Sequence, residues 1–283
     1  MDLVELMRKE LVRRHYSPKT VDSYVFCVRK FLLWCKANDK DKEPRRITKQ
    51  DIKDYLAWLC EKGVAASTLN LHQQALKFAL LSVLNKKFFV NLPFSKVPAK
   101  LPEVLTQEEV VKLFKAIDNP KHSLIVRLMY SSGLRVSELV RLRVRDLELE
   151  KGFGWVRKGK GAKDRVFLLA SGIKQELSEF IQNNGLGAQD WVFRGRFGHL
   201  TTRTVYEVVK QASVKAGLSK RVHPHTLRHS FATHLIENGY DVIRVQSLLG
   251  HNSVDTTMVY VHMASPELLG VASPYDSLCE NYL

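Results

Sequence analysis

At 283 residues the chain is long enough for two domains, since single cores usually stop growing near about 150–250 residues. Hydrophobic residues at 45% and charged residues at 26% give a soluble globular balance, and no apolar run reaches the roughly 20 residues that span a bilayer, so membrane insertion is not expected. The net charge of +15, basic on both sides of residue 104, calls for a polyanionic partner, with nucleic acid ahead of an anionic membrane surface.

Residues 1–14 mix acids and bases with leucines and lack the apolar block of a secretory signal, so a cytoplasmic protein is expected. Ser17-Pro18 reads as a helix start, with a capping hydroxyl and Pro at the first helical position. Val21, Tyr24, Val25, Val28, Phe31 and Leu32 then recur at three- and four-residue spacing on one apolar face. Thr48 is expected to cap a helix carrying Ile52, Tyr55, Leu56 and Leu59, and Ser67 to open another carrying Leu71, Ala75, Phe78 and Leu81. This is a small helical domain over 1–87. Pro93, Pro98 and Pro102 among Lys96 and Lys100 mark an extended linker over 88–104.

Thr106 with Glu109 forms a capping box and begins a second domain, 105–264, whose helices are expected to be interrupted once by strands. Between Asp146 and Leu169, the turn signals Gly152-Phe153-Gly154 and Gly159-Lys160-Gly161 separate short β-prone runs. The fold class is therefore mainly α with a small antiparallel β-sheet. Cys27, Cys35, Cys60 and Cys279 show neither CxxC pairs nor zinc spacing, which fits reduced structural thiols.

The second domain concentrates polar residues in four segments. They are Ser132-Gly133-Leu134-Arg135-Val136-Ser137-Glu138-Leu139, Gly159-Lys160-Gly161-Ala162-Lys163-Asp164-Arg165, His223-Pro224-His225-Thr226-Leu227-Arg228-His229, and Leu249-Gly250-His251 with Tyr260 nine residues later. Attack on a phosphodiester builds negative charge on nonbridging oxygens, which positioned guanidinium and imidazole donors stabilise. Arg135, Arg228 and His251 are of the right types, and arginine's planar fork matches phosphate. A departing 5′ alkoxide needs a proton, which a lysine on a hairpin tip can deliver when nearby cations depress its pKa. A phenol is both nucleophile and competent leaving group, since its pKa lies near about 10. The chain has no GxxxxGK[ST] loop and no paired-metal acidic cluster, so neither ATP, nor a metal, nor another cofactor is expected.

Taken singly, several of these residues have plainer readings. Arg135 alone is a surface cation at a helix start, Tyr260 alone a core tyrosine, and Lys160 and Lys163 alone solvated loop lysines. His225 and His229 sit at a two-histidine zinc spacing, but the glutamate of HExxH is missing.

Together the segments resemble the tyrosine recombinases, specifically their compact Xer-type members, in motif order and spacing, and the resemblance spans essentially the whole chain. It implies a helical core-binding (SAM-like) domain followed by an α+β catalytic domain. It also implies catalytic roles for Arg135, Lys160, His225, Arg228 and His251, with Tyr260 as the nucleophile that holds a DNA 3′-phosphate. The implied partner is double-stranded DNA bearing a specific recombination site, bound as a homotetramer or paired heterotetramer on two sites. Ser265-Pro266 is a helix start in a tail, 265–283, that the resemblance implies docks on a neighbouring subunit. Arg13, Arg14, Lys19, Arg45, Arg46, Lys49, Lys163 and Arg165 are expected to contact DNA, chiefly its phosphates. Glu138 is expected to steady Arg135. A type IB topoisomerase, a mobile-element integrase and a non-catalytic DNA-binding regulator are the alternatives.

Overall fold

The computed structural model describes residues 2–38, 40, 43–86, 94–96, 101–157, 164–196, 198–250 and 257–258. Lys160, Lys163, His251 and Tyr260, most of the linker, Cys279 and the tail after 264 lie outside the described residues. The chain divides into two compact units, 1–99 and 100–283.

The first unit is helical: α1 (Leu3–Arg13), α2 (Pro18–Ala37), α3 (Lys49–Glu61) and α4 (Ala66–Lys77), the last continuing as a π-helical stretch, Phe78–Val83. Its expected caps are present. The Ser17 hydroxyl accepts the Thr20 N–H at 3.1 Å, and Thr48 and Asp51 satisfy each other's backbone N–H groups. The α4 expectation needs correcting. The helix starts at Ala66, one residue ahead of Ser67, and the Ala65 carbonyl alone receives the first N–H groups. Leu71 and Leu81 are only half-buried, while Leu69, Leu76 and Leu80 fill the core beside Ala75 and Phe78. Against them pack Val25, Val28 and Phe31 from α2 and Ile52, Tyr55 and Leu59 from α3. Cys27 and Cys35 are buried on α2, where burial pushes the Cys27 thiol up to about 11.

The second unit opens on α5 (Gln107–Lys115), whose Thr106–Glu109 box is formed as expected. Then come α6 (Pro120–Ser132), the short α7 (Val136–Leu139), β1 (Leu147–Glu148), β2 (Phe153–Val156) and β3 (Arg165–Leu168). The three strands form one antiparallel sheet in the order β1-β2-β3. After α8 (Ser171–Asn183) a second antiparallel pair, β4 (Arg194–Gly195) and β5 (Gly198–His199), breaks the helical run again, so strands interrupt the helices twice rather than once. Helices α9 (Thr202–Lys215), α10 (Pro224–Glu237) and α11 (Val242–Leu249) follow. The core gathers round α6, whose Leu124, Ile125, Val126, Leu128 and Met129 are buried among residues of α5, α8, α9 and β3. Among the described residues no helix is long and apolar enough to cross a membrane.

Candidate active site

Two helix ends place the arginines. Helix α6 stops at Gly133, which adopts a left-handed conformation (φ +61°), and a Cβ there would lie 2.4 Å from Phe231 Cδ1. Only glycine meets both demands. The chain then reverses through buried Leu134 and presents Arg135 as the N-cap of α7. Helix α11 stops in the same way at Gly250 (φ +62°).

On α10, Pro224 occupies the first turn, and His223 caps it by accepting the Thr226 N–H on Nδ1 at 3.3 Å. One turn on, Arg228 is 3% exposed. Its Nη1 donates to the Gly133 carbonyl at 2.5 Å and its Nη2 to the Leu249 carbonyl at 2.6 Å. The guanidinium thus joins the negative, carbonyl-bearing ends of α6 and α11, where a cation is stabilised. Arg135 Nη2 donates to the next carbonyl, Gly250, at 3.3 Å. The structure therefore brings Arg135 and Arg228 to consecutive carbonyls, and residue 251 is the next in the chain.

Glu138 steadies Arg135 as the sequence suggests. Its Oε1 accepts Arg135 Nη1 at 2.7 Å, and its Oε2 accepts the Arg135 backbone N–H at 2.8 Å. Oε2 also accepts Arg165 Nη2 at 2.7 Å, a contact that sequence reasoning missed. Arg165, expected with Lys163 to contact DNA phosphate, has a side chain that is 11% exposed and directed at Glu138. The available sequence signal was the glycine in two of the segments, Gly133 and Gly250, each of which ends a helix and forecasts close backbone approach. Two guanidinium groups, from Arg135 and Arg165, share the Glu138 carboxylate, and Arg228 is held on the neighbouring carbonyls, leaving this corner cationic.

His225 lies on the exposed side of α10, its ring 6.2 Å from that of His229 and 6.3 Å from that of His223. Partial desolvation, with His223 and the Arg228 and Arg135 cations nearby, lowers its pKa. Desolvation, His225 and Arg228 hold the His229 pKa down at about 4. A neutral imidazole keeps one nitrogen as a proton acceptor. His234 packs away from these rings and hydrogen-bonds the Tyr130 hydroxyl at 2.8 Å.

Among the expected DNA contacts of the first unit, Lys19, Arg45 and Arg46 are exposed and Lys49 is half-buried. Arg13 and Arg14 share Glu10, each at 2.7 Å. Those pairs hold the Glu10 carboxyl down at about 2.

Comparison with known proteins agrees along the whole chain. The profile of the phage integrase family matches residues 103–267, and that of the phage integrase N-terminal SAM-like domain matches residues 3–88. An integrase/recombinase of Escherichia coli is 33% identical over 98% of this chain and 94% of its own length. The tyrosine recombinase XerA of Pyrococcus furiosus is 37% identical over 89% of this chain and 86% of its own. Among solved structures, XerH site-specific recombinase bound to palindromic difH substrate superposes with a TM-score of 0.73, at 26% identity, over 93% of this chain and 82% of that one. The chain belongs to the phage integrase family and is a tyrosine recombinase, an enzyme of site-specific DNA recombination.

Proposed function

We propose that the chain binds a specific duplex site and exchanges strands through a 3′-phosphotyrosyl intermediate on Tyr260. The observation that carries the reading is the pairing of Arg135 and Arg228 with the consecutive carbonyls of Gly250 and Leu249, because those two residues immediately precede His251, which is itself nine residues before Tyr260. In this reading the Tyr260 phenol oxygen attacks the scissile phosphorus and gives its proton to neutral His225. The bond from phosphorus to the 5′ oxygen breaks, and that oxygen takes a proton from Lys160. Arg135, Arg228 and His251 neutralise the nonbridging oxygens. The phosphodiester energy is kept in the phosphotyrosyl bond, so a 5′ hydroxyl of the partner duplex reverses the step without ATP.

Residues 1–87 then act as the core-binding domain and 105–264 as the catalytic domain, with 88–104 as linker. Four protomers hold two sites, the tail after 264 docks in trans, and strand exchange passes through a Holliday junction. Resolution of chromosome or plasmid dimers in the cytoplasm is the role we favour, on likeness to the Xer relatives. Integration of a mobile element is the second reading, favoured by the Escherichia coli integrase/recombinase that matches 98% of this chain.

A nicked duplex that traps the covalent intermediate tests the chemistry. Wild type is expected to give a shifted band on a denaturing gel, and Tyr260→Phe to bind without giving one; a band from that variant overturns the assignment. A four-way junction formed from two sites separates recombination from simple nicking and religation. Loss of the tetramer on deletion of residues 266–283 is the expected sign of docking in trans, and a tetramer that persists removes that part of the proposal.

A further inference from the structure

Arg165 opens β3, opposite Val156 on β2, and its side chain runs inward to the site rather than outward. Its Nη2 reaches Glu138, but its Nε and Nη1 are buried without a hydrogen-bond partner among the described residues. Leaving two guanidinium donors unsatisfied in a low-dielectric setting is unfavourable, so a cation held this way needs a reason beyond stability. Its stem lies against Gly250, where an added Cβ would come within 2.5 Å of Arg165 Cδ and 2.8 Å of Nε. Arg165 therefore touches both groups that hold the Arg135 guanidinium: the Glu138 carboxylate and the Gly250 residue whose carbonyl receives Arg135 Nη2.

We infer that Arg165 is a positioning residue for DNA cleavage, fixing the plane of Arg135 through Glu138 and Gly250. The inference rests on the assignment of Arg135 to the scissile phosphate. Arg135 has a carboxylate on one side and a helix-end carbonyl on another, and Arg165 stops both from shifting. Because Arg165 is the first residue of β3, it also registers the strand that leaves the Gly159–Asp164 segment, which carries Lys160, against the arginine pair. A displacement of about 1 Å in such a clamp lowers a rate by about a hundredfold. A direct phosphate contact would instead show itself in affinity and in the salt dependence of binding.

The test uses the full chain and a nicked duplex carrying the sequence it selects from a random pool, with affinity, salt dependence and single-turnover cleavage measured side by side. Arg165→Met keeps the stem on Gly250 and removes the unsatisfied donors. It is expected to melt no lower than wild type and to bind within about twofold with an unchanged salt slope, yet to cleave about 10- to 100-fold more slowly. Arg165→Lys, which keeps a donor within reach of Glu138, is expected to recover most of that loss. Combined with Glu138→Gln, Arg165→Met is expected to add less than twofold to the slower single variant, because both act through Arg135. The inference is overturned by Arg165→Met cleaving within threefold of wild type, by weakened binding with a shallower salt slope, or by losses that multiply in the double variant. Wild-type-like cleavage by Arg135→Ala would instead remove the underlying assignment and leave these readouts separable.

Discussion

The two units solve the problem of polar groups in opposite ways. The first keeps its expected DNA-facing cations outside, with Lys19, Arg45 and Arg46 exposed, and its core centres on aromatic rings packed edge-on, tilted and stacked about Tyr55. One side-chain hydrogen bond within that core joins Tyr55 and His72 at 3.0 Å. The second unit draws guanidinium groups inward: Arg228 is 3% exposed, and Arg135 and Arg165 converge on Glu138. Buried charge seldom raises stability over a well-packed apolar group. The contrast teaches that the first unit is built to hold together with its cations left at the surface, and the second to orient cations.

The largest effect that would break this contrast is at Arg228. Arg228→Lys keeps the charge but cannot span the Gly133 and Leu249 carbonyls and a phosphate at once, so covalent-complex formation is expected to fall about 100- to 1000-fold. Single-turnover assays read it, and a loss below tenfold would return Arg228 to a structural role. Next comes Gly133→Ala, which forces a side chain into a left-handed conformation and against Phe231. A loss of about 2–5 kcal/mol in denaturant unfolding is expected, confined to the second unit.

Acid acts on both units. His72 and His229 each titrate at about 4 when folded, against 6.5 for a free histidine, so the unfolded chain binds their protons first. Their contribution to stability is complete above about pH 6.5 and is lost as the pH falls toward 4. For buried His72 the loss is on the order of 1–3 kcal/mol. Hydrogen exchange at pH 7 and pH 4.5 checks each unit separately, and unchanged protection in either would contradict its histidine. The smallest effect belongs to the surface. Arg45→Ala with Arg46→Ala is expected to shift stability by less than about 0.5 kcal/mol, while the slope of log affinity on log salt falls by about 0.9 for each DNA phosphate no longer neutralised. Salt titrations of binding measure it.

Much of the fold was legible because local chemistry carried it. Ser17, Thr48 and Thr106 cap helices through hydroxyls whose geometry needs only neighbouring residues. The β4–β5 pair was not legible, since two-residue strands carry no periodicity, and neither was the start of α4, where no side chain caps the helix. At the candidate site, the segments marked Arg135, His225 and Arg228 as candidates, and the structure brings Arg135 and Arg228 to consecutive carbonyls, with Glu138 on Arg135 as its place one turn later suggests. Arg165 was not. A lysine- and arginine-rich turn suggests solvent and phosphate, and only tertiary packing against Gly250 and Glu138 draws this one arginine inward.

The central claim, that this arginine corner serves a covalent step on Tyr260, is met most directly by mapping the trapped adduct. Tandem mass spectrometry of the digested protein–DNA complex is expected to find a nucleotide 3′-phosphate on Tyr260. The same adduct on Tyr240, or on any serine or histidine, would contradict the account.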